Sequence, residues 1–275
     1  MMTSFTILWY NIKRGFHKKE ENGSSTFEPK RLEAARKAIL KLNPDILMLG
    51  EADFNLKCPE FGAVKNILNY KEIFDYPYAF NNAVNEIKGE TILSKYPFEA
   101  ESFAIELFTH IKVRLRLDKN EISMDLIHPY PRIPEKEKAE RIIPVLNKME
   151  TPCILLGDFN ALSPEDNYSV EELTEGFKPA RGDKSIENAK DASQCLMVKK
   201  VLEKGLIDAY RAKNKDRGDT IQTKSYTSFK DNFGDMRLDY IFCSKEFRII
   251  DCKVVKNSET NIASDHYPVF AKLEI

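Results

Sequence analysis

Short apolar runs of strand length recur from one end of the chain to the other. Residues 5–10, 45–50 and 153–156 are mostly apolar and show little alternation with polar residues. Such a strand is buried on both faces, because either face would otherwise expose apolar side chains to water. The chain therefore needs sheets that are covered on both sides.

A helical pattern separates the first two of these strands. Pro29 can occupy the first turn of a helix, apolar residues then recur at helical spacing as far as Leu42, and Asn43-Pro44 ends the pattern. This strand–helix–strand order predicts a crossover unit. The polar segment 13–28 before the helix is expected to be a loop.

Two further helices are predicted in the second half of the chain. Residues 134–149 carry an apolar face that includes Ile143, and Pro144 should kink or split this helix at a cost of ~3 kcal/mol. A helix at residues 191–204 could begin with Asp191 and Gln194 as a capping pair.

The middle of the chain predicts an antiparallel hairpin. Residues 109–117 alternate strictly, and residues 122–128 can pair with them around Lys119-Asn120. The polar face of the first strand is typical of a solvated outer strand, although a phosphate-binding stripe is the alternative; it consists of His110, Lys112, Arg114 and Arg116. No Pro/Ser-rich linker divides the chain. We therefore expect one domain, residues 1–275, of α/β class with two packed mixed sheets and helices outside.

Composition restricts the class of protein and its partners. The 275 residues are 42% hydrophobic and 31% charged, which excludes wholesale disorder. Lys and Arg number 42 against 43 Asp and Glu, so a phosphate-bearing partner must meet a local basic patch. No apolar run approaches the length of a membrane-spanning helix. The five cysteines form no Cys-X-X-Cys pair. We expect a cytoplasmic monomer, although a processed secreted chain would look the same.

Two compact motifs carry polar residues at the ends of apolar strands. In Gly157-Asp158-Phe159-Asn160, a carboxylate and an amide two residues apart can face the same side and hold a water and a phosphate oxygen. In Ser264-Asp265-His266-Tyr267-Pro268, adjacent Asp and His can offer a metal ligand and a phosphate donor. Each motif alone could equally be a turn. Polar residues at strand ends also occur elsewhere, and in a packed pair of sheets they can converge on one edge; the full set is Asn11, Glu51, His128, Asp158, Asn160, Asp239, Asp265 and His266.

Together these residues resemble the endonuclease/exonuclease/phosphatase superfamily, which has the deoxyribonuclease-I-like fold. The resemblance covers nearly the whole chain in the family's order, and the motifs at 157–160 and 264–268 are its most specific marks. Asn11-Ile12 and the Arg-Leu-Asp-Tyr run at 237–240 support it. The resemblance implies a four-layer α/β sandwich and a Mg²⁺- or Mn²⁺-dependent phosphodiesterase.

The resemblance also implies a role for each residue. Glu51 would hold the metal, with Asp265 assisting, and Asp158 would orient or deprotonate the attacking water. His266 is the alternative general base, and the sequence leaves the two open. The remaining residues would act on the phosphate: Asn160 and Asn11 would hold an oxygen and fix Asp158, His266 would contact the phosphate with Asp239 setting its tautomer, and His128 would bind the phosphate or protonate the leaving group.

Four positions depart from the family's pattern. Gly50 stands where many relatives carry Gln, Lys13 where an acidic or amide residue is frequent, and His128 where Tyr is typical. The run at 237–239 lacks the Cys of the inositol-phosphate phosphatases. These departures count against an interpretation as an abasic-site nuclease or an inositol phosphatase. They also count against a second metal site.

We therefore expect a nuclease that acts on DNA or RNA. A phospholipid, sphingomyelin or small-molecule phosphoesterase is the alternative within enzymes, and a catalytically silent binding module is the remote one. Arg132, Arg181 and the charged loop at 211–224 are candidate substrate contacts, with plain solvent exposure favoured for each.

Overall fold

The computed structural model describes residues 2–19, 25–52, 56–58, 62–64, 67–84, 88–224 and 233–275. In these ranges the strands, in chain order, are β1 (Ser4–Asn11), β2 (His17–Lys19), β3 (Ser25–Phe27), β4 (Ile46–Gly50), β5 (Leu56–Cys58), β6 (Gly62–Val64), β7 (Tyr78–Val84), β8 (Lys88–Ser94), β9 (Phe98–Ile105), β10 (Phe108–Leu117), β11 (Asn120–Pro129), β12 (Cys153–Asp158), β13 (Ile207–Asp208), β14 (Asp239–Cys243), β15 (Arg248–Val254) and β16 (Val269–Glu274). The helices are α1 (Lys13–Phe16), α2 (Pro29–Leu42), α3 (Ile67–Phe74), α4 (Glu135–Asn147), α5 (Val170–Arg181), α6 (Ser185–Ala192), α7 (Leu196–Glu203) and α8 (Thr260–Ala263), with short 3-10 turns at Pro164–Asp166 and Gly182–Lys184.

Two six-stranded sheets form the centre of the molecule. Their strand orders are β15-β16-β1-β4-β8-β7 and β13-β14-β12-β11-β10-β9. Each sheet is antiparallel except for one parallel pair, β1 with β4 and β11 with β12. The chain between the partners of each pair contains a helix, α2 in the first and α4 in the second, as a crossover requires. The predicted strand–helix–strand unit is the first of these.

The side chains divide into layers that match the two sheets. Trp9, Met48, Met124 and Leu156 belong to a buried cluster that both sheets share, so it fills the space between them. A second cluster packs α2 on the outer face of the first sheet, and a third packs α4 and α7 on the outer face of the second. The predicted four-layer α/β sandwich is confirmed. No helix in the described ranges is both long and apolar enough to cross a membrane.

The segment 13–28 differs from the expected loop. It contains α1 and the β2–β3 hairpin, while its residues 20–24 lie outside the described part of the chain. The four residues of α1 have positive φ, 43°, 56°, 57° and 65° from Lys13 to Phe16, and so form a left-handed turn. Three of them are not glycine, and this conformation costs roughly 1–2 kcal/mol for such a residue. Contacts from elsewhere in the fold must hold the turn.

Pro144 does not split the helix, since α4 continues through it from Glu135 to Asn147. Pro144 and Glu140 are exposed, so water can hydrate the Glu140 carbonyl that loses its N–H partner. Ile143, expected on the buried face, is 40% exposed.

Two other expectations are also wrong in part. The last long helix, α7, begins only at Leu196, and Asp191 instead accepts the Glu135 N–H at the start of α4 at 3.1 Å. On the polar face of β10, Arg114 and Arg116 are exposed as expected. His110 is buried, lies 2.7 Å from Asp125 and stacks on the Phe103 ring with centroids 4.9 Å apart.

Candidate active site

The carboxyl ends of the parallel strands meet at one edge of the sandwich. Asn11 at the end of β1 pairs with Gly50 at the end of β4, and Asp158 at the end of β12 pairs with Asp239 at the start of β14. Gly157 has φ of 143°, a backbone conformation that a side chain would strain, and it lies beside Ile127 of β11. The polar residues at these strand ends lie together because the register of the sheets pairs the ends with one another.

Asp158 lies at the centre of this edge and is 2% exposed. Its Oδ2 accepts a hydrogen bond from Asn11 Nδ2 at 3.2 Å, and its Oδ1 accepts the backbone N–H of Asn160 at 2.9 Å. The same Oδ2 lies 3.6 Å from His128 Nε2 and 3.9 Å from His266 Nε2. Burial and the nearby Asp239 raise the pKa of Asp158 to about 6, although both histidines oppose the rise.

His266 is oriented by Asp239. Its Nδ1 lies 2.8 Å from Asp239 Oδ2, while Asp239 Oδ1 accepts the indole N–H of Trp9 at 2.7 Å. Burial alone would lower the pKa of His266, but Asp239 raises it to about 10. Arg237, which could have paired with Asp239, lies instead against Asp166 and Asp208 at 2.9 and 2.7 Å. The imidazole is therefore held with Nδ1 protonated and Nε2 directed towards Asp158.

His128 has an equivalent partner, Glu90, which the sequence analysis missed. Glu90 is 3% exposed, and its Oε1 lies 2.7 Å from His128 Nδ1. Burial tends to lower the pKa of His128, whereas Glu90, Asp158 and Glu51 raise it to about 9. In the sequence, Glu90 directly precedes the short segment 91–94, but only the direction of the strand that contains this segment brings Glu90 to the site. Because β8 runs antiparallel to β4, the start of β8 lies at the edge where β4 ends.

Gly50 leaves room for this arrangement. A Cβ at Gly50 would lie 2.6 Å from the Trp9 ring and 3.2 Å from Glu90 Oε2. The space beside the backbone of Gly50 is therefore filled by Trp9, which holds Asp239, and by Glu90, which holds His128. Glycine at position 50, where many relatives carry Gln, thus leaves space for Glu90, which pairs with His128.

Glu51 follows directly and has φ of 51°, a left-handed conformation that is uncommon for glutamate. Its oxygens accept long hydrogen bonds, 3.4 Å from Asn11 Nδ2 and 3.3 Å from the Arg14 N–H. Asn11 therefore bridges Glu51 and Asp158, and its own Oδ1 accepts the Lys13 N–H at 3.0 Å. Strained backbone of this kind is concentrated at functional sites.

Asp265 is held by Lys13, whose Nζ lies 2.7 Å from Asp265 Oδ2. Burial would raise the pKa of Asp265, but Lys13 and His266 lower it to about 2. This carboxylate is therefore ionised and already balanced by a cation. Its expected part in holding a metal stays a prediction.

Asn160 also has positive φ, 46°, and its side-chain amide donates to the Pro129 carbonyl at 3.0 Å. The buried Lys138 donates to the Asn160 carbonyl. Asn160 is thereby fixed to the end of β11, and its backbone N–H is what contacts Asp158.

Arg31 is a second residue that the sequence analysis missed. It lies on α2, is 3% exposed, and donates from Nε to the Ala263 carbonyl at 2.8 Å. From Nη2 it donates to the carbonyls of Ile12 and Lys13 at 2.8 and 3.1 Å. One guanidinium therefore ties the left-handed turn of α1 to the residue that precedes the Ser264-Asp265-His266 motif. In the sequence, Arg31 is one of several cations in a helical segment, a pattern typical of a solvated helix face.

The arrangement fits a divalent cation through its donor chemistry. Asp158, Asp239 and His266 offer ligand atoms within 4.8 Å of one another. Both oxygens of Asp239 are already engaged, however, by Trp9 and His266. The hydrogen bonds of Glu51 are long, and hard cations prefer carboxylate oxygens, but its expected role as the metal ligand stays a prediction.

Comparison with protein families identifies the chain. The sequence model of the endonuclease/exonuclease/phosphatase family matches residues 8–266. The chain belongs to this family. A search of curated proteins finds no match.

Solved structures of the family share the fold. An endonuclease/exonuclease/phosphatase from Beutenbergia cavernae DSM 12333 has 16% identity and a TM-score of 0.69, covering 99% of this chain and 72% of that one. D. rerio TDP2 complexed with a single-strand DNA product has 13% identity and a TM-score of 0.63, covering 98% of both chains. An AP endonuclease from Archaeoglobus fulgidus has 18% identity and a TM-score of 0.64, covering 97% of this chain and 98% of that one. Identities this low establish the fold alone.

Proposed function

We propose that the protein is a divalent-metal-dependent phosphodiesterase that hydrolyses DNA or RNA, with residues 1–275 acting as one domain. One observation carries the proposal: Asp158 lies between two imidazoles, each oriented by its own buried carboxylate. Membership of the endonuclease/exonuclease/phosphatase family supports phosphoester hydrolysis in general.

The protonation states of His128, His266 and Asp158 support a role for each as a proton donor or acceptor. With pKa values of about 9 and about 10, His128 and His266 are protonated at neutral pH and can donate to phosphoryl or leaving-group oxygens. With a pKa of about 6, Asp158 is largely ionised and can accept a proton from water. These states favour Asp158 over His266 as the general base.

The remaining residues of the site position Asp158, His128 and His266 or bind the phosphate and the metal. Asn11 and the Asn160 N–H hold Asp158, and fixed donors at the edge stabilise the negative charge that develops on the phosphoryl oxygens. Glu51 would hold a Mg²⁺ or Mn²⁺ ion, with Asp265 near it. A bound divalent ion offsets phosphoryl charge and lowers the pKa of a bound water.

Nucleic acid is the favoured substrate, because D. rerio TDP2 is complexed with a DNA product and the A. fulgidus protein is an AP endonuclease. A phospholipid, sphingomyelin or small-molecule phosphoesterase is the alternative. A silent binding module is remote, since the paired histidines and Asp158 are all present.

The test is hydrolysis of bis(p-nitrophenyl) phosphate, single-stranded DNA, RNA and sphingomyelin with Mg²⁺, Mn²⁺ or EDTA. We expect metal-dependent cleavage of the diester and of nucleic acid, and a loss of roughly 10²–10⁴-fold in Asp158→Asn. Asp75→Asn is the control, because Asp75 is exposed and its left-handed φ of 59° suits asparagine. Cleavage of sphingomyelin alone would overturn the nuclease assignment, and equal rates in Asp158→Asn would overturn the mechanism.

A further inference from the structure

A pocket of about 700 Å³ opens beside the active site and shares Asn160 with it. Its walls come from the segment after β11, from α5 and α6, and from residues 236–238 before β14. Asn160 is fixed to Asp158 through its backbone N–H. A group bound in the pocket would therefore belong to the unit of the substrate next to the reacting phosphate.

One side of the pocket is apolar and partly aromatic. Leu162, Phe177 and Met236 are buried in it, and Phe233 packs edge-on against Phe177 with ring centroids 6.4 Å apart. Gly234, with φ of 78°, allows the backbone beside Phe233 to approach α5 closely. This side offers a flat ring surface of the kind on which bases stack.

Beside this apolar part, the pocket carries two arginines without a carboxylate partner. Among the described residues, no Asp or Glu oxygen forms an ion pair with Arg132 or Arg181, whereas Arg141, Arg217 and Arg237 are all paired. The Arg181 guanidinium lies 5.0 Å from the Phe233 ring centroid. Burial and the neighbouring charge of Arg132 lower the pKa of Arg181, so the two guanidinium groups are close enough to repel each other.

The acidic residues of the pocket do not balance this charge. Asp191 accepts hydrogen bonds from the Glu135 N–H and from Gln194, and Glu187 is exposed. Lys138, a further cation in the pocket wall, is already paired with Glu135 at 3.3 Å. Lys184 and Lys190 also line the pocket and are exposed, so they add to the positive charge of Arg132 and Arg181.

We propose that this pocket binds the nucleotide next to the scissile bond, with its second phosphate at Arg132 and Arg181 and its base against Phe233. The proposal rests on the proposed function and narrows its substrate. It requires a phosphodiester that carries another phosphate one unit away, which nucleic acid has and sphingomyelin lacks. A planar guanidinium group can donate two parallel hydrogen bonds to two oxygens of one phosphate. The aromatic ring beside it provides a surface on which a base can stack.

Dinucleotides that differ by one phosphate test the pocket. We expect kcat/KM for one of the two phosphorylated dinucleotides, pTpT or TpTp, to exceed kcat/KM for TpT by about tenfold. This factor corresponds to the free energy of one hydrogen bond between charged groups. Arg132→Ala and Arg181→Ala should each reduce this ratio towards one. Arg114→Ala is the matched control, since Arg114 is an exposed arginine of β10 outside the pocket, and it should keep the ratio.

A second measurement separates the pocket from catalysis. Anisotropy of a fluorescein-labelled single-stranded oligonucleotide in EDTA should show weaker binding by the two pocket variants than by wild type and Arg114→Ala. Cleavage of TpT, pTpT and TpTp at equal rates would overturn the pocket and leave the proposed function standing. Arginine-dependent binding without any cleavage would overturn the proposed function and leave the pocket standing. Unaltered binding in both pocket variants, with folding verified by circular dichroism, would also overturn the pocket.

Discussion

Oε1 of Glu90 lies 2.7 Å from Nδ1 of His128, nearly the same distance that separates Asp239 from His266. The two pairs approach Asp158 from different elements, since His128 ends β11 and His266 precedes β16. The active site therefore has two imidazoles held in the same manner around one carboxylate. The two carboxylates differ in their other oxygen: Asp239 accepts the Trp9 N–H, while no donor among the described residues reaches the buried Oε2 of Glu90.

Glu90→Gln should move the alkaline limb of the pH–rate profile to lower pH. The donor form of His128 is lost as pH rises through its pKa of about 9, and that pKa is raised chiefly by Glu90. Without the carboxylate the pKa falls, so activity should decline at a lower pH. Steady-state rates across pH 6 to 10 check this.

Asp125→Asn is the matched control for that experiment. Asp125 is also buried and lies 2.7 Å from a histidine, His110, but this pair is separate from the residues around Asp158. Its removal should lower the free energy of unfolding and leave the alkaline limb in place. A limb that moves equally in both variants would show that Glu90 does not act through His128.

His266→Ala should cost turnover heavily, and Asp239→Asn should cost less. If Asp239 works through His266, adding Asp239→Asn to His266→Ala should change kcat little, because residues that act as a unit are not additive. The competing ion pair with Arg237 does not apply, since Arg237 binds Asp166 and Asp208. Losses that multiply in a folded double mutant would contradict the pairing.

Glu51→Gln should keep the fold and weaken metal binding by at least tenfold, because hard cations prefer carboxylate to amide oxygens. Titration of Mg²⁺ or Mn²⁺ by calorimetry measures the affinity directly. Glu101→Gln, an exposed glutamate of β9, serves as the control. Equal affinity in wild type and Glu51→Gln would remove Glu51 from the metal site.

Arg31→Met should lower both stability and kcat. It removes the guanidinium hydrogen bonds to the carbonyls of Ile12, Lys13 and Ala263, at a cost of about 1–3 kcal/mol for each buried group that stays unsatisfied. Urea unfolding and kcat at a temperature where both proteins are folded separate the two effects. Arg36→Met on the same helix, where Arg36 makes one exposed bond to the Ile73 carbonyl, should be nearly neutral. Similar losses in both variants would contradict the role of Arg31.

Binding of single-stranded DNA should weaken only gradually as salt rises. Neutralised phosphates set the slope of affinity against salt concentration, and a chain with net charge −1 has few clustered cations to offer. Anisotropy titrations between low and moderate salt give the slope. Affinity that does not change with salt would count against a nucleic-acid substrate.

The strands, the first crossover and the convergence of strand ends could be predicted because they depend on local apolar runs and on sheet geometry. Asp158 could be named because it directly follows such a run, and His266 because it lies just before one. Glu90 could not, because the pattern of 91–94 does not reveal whether that strand runs parallel or antiparallel to its neighbour. Arg31 and Trp9 could not, because their partners Ala263 and Asp239 lie at the other end of the chain.

The position of β1 between β16 and β4 has a consequence for synthesis of the protein. Asn11 is synthesised well before residues 269–274, whose strand completes the pairing of β1 on one side. Because His266 and Asp265 also come from this late segment, a nascent chain cannot assemble the catalytic edge. Long-range pairing of this kind is formed late in folding. In the proposed function, hydrolysis therefore has to wait until residues 265–274 have been made and have paired with β1.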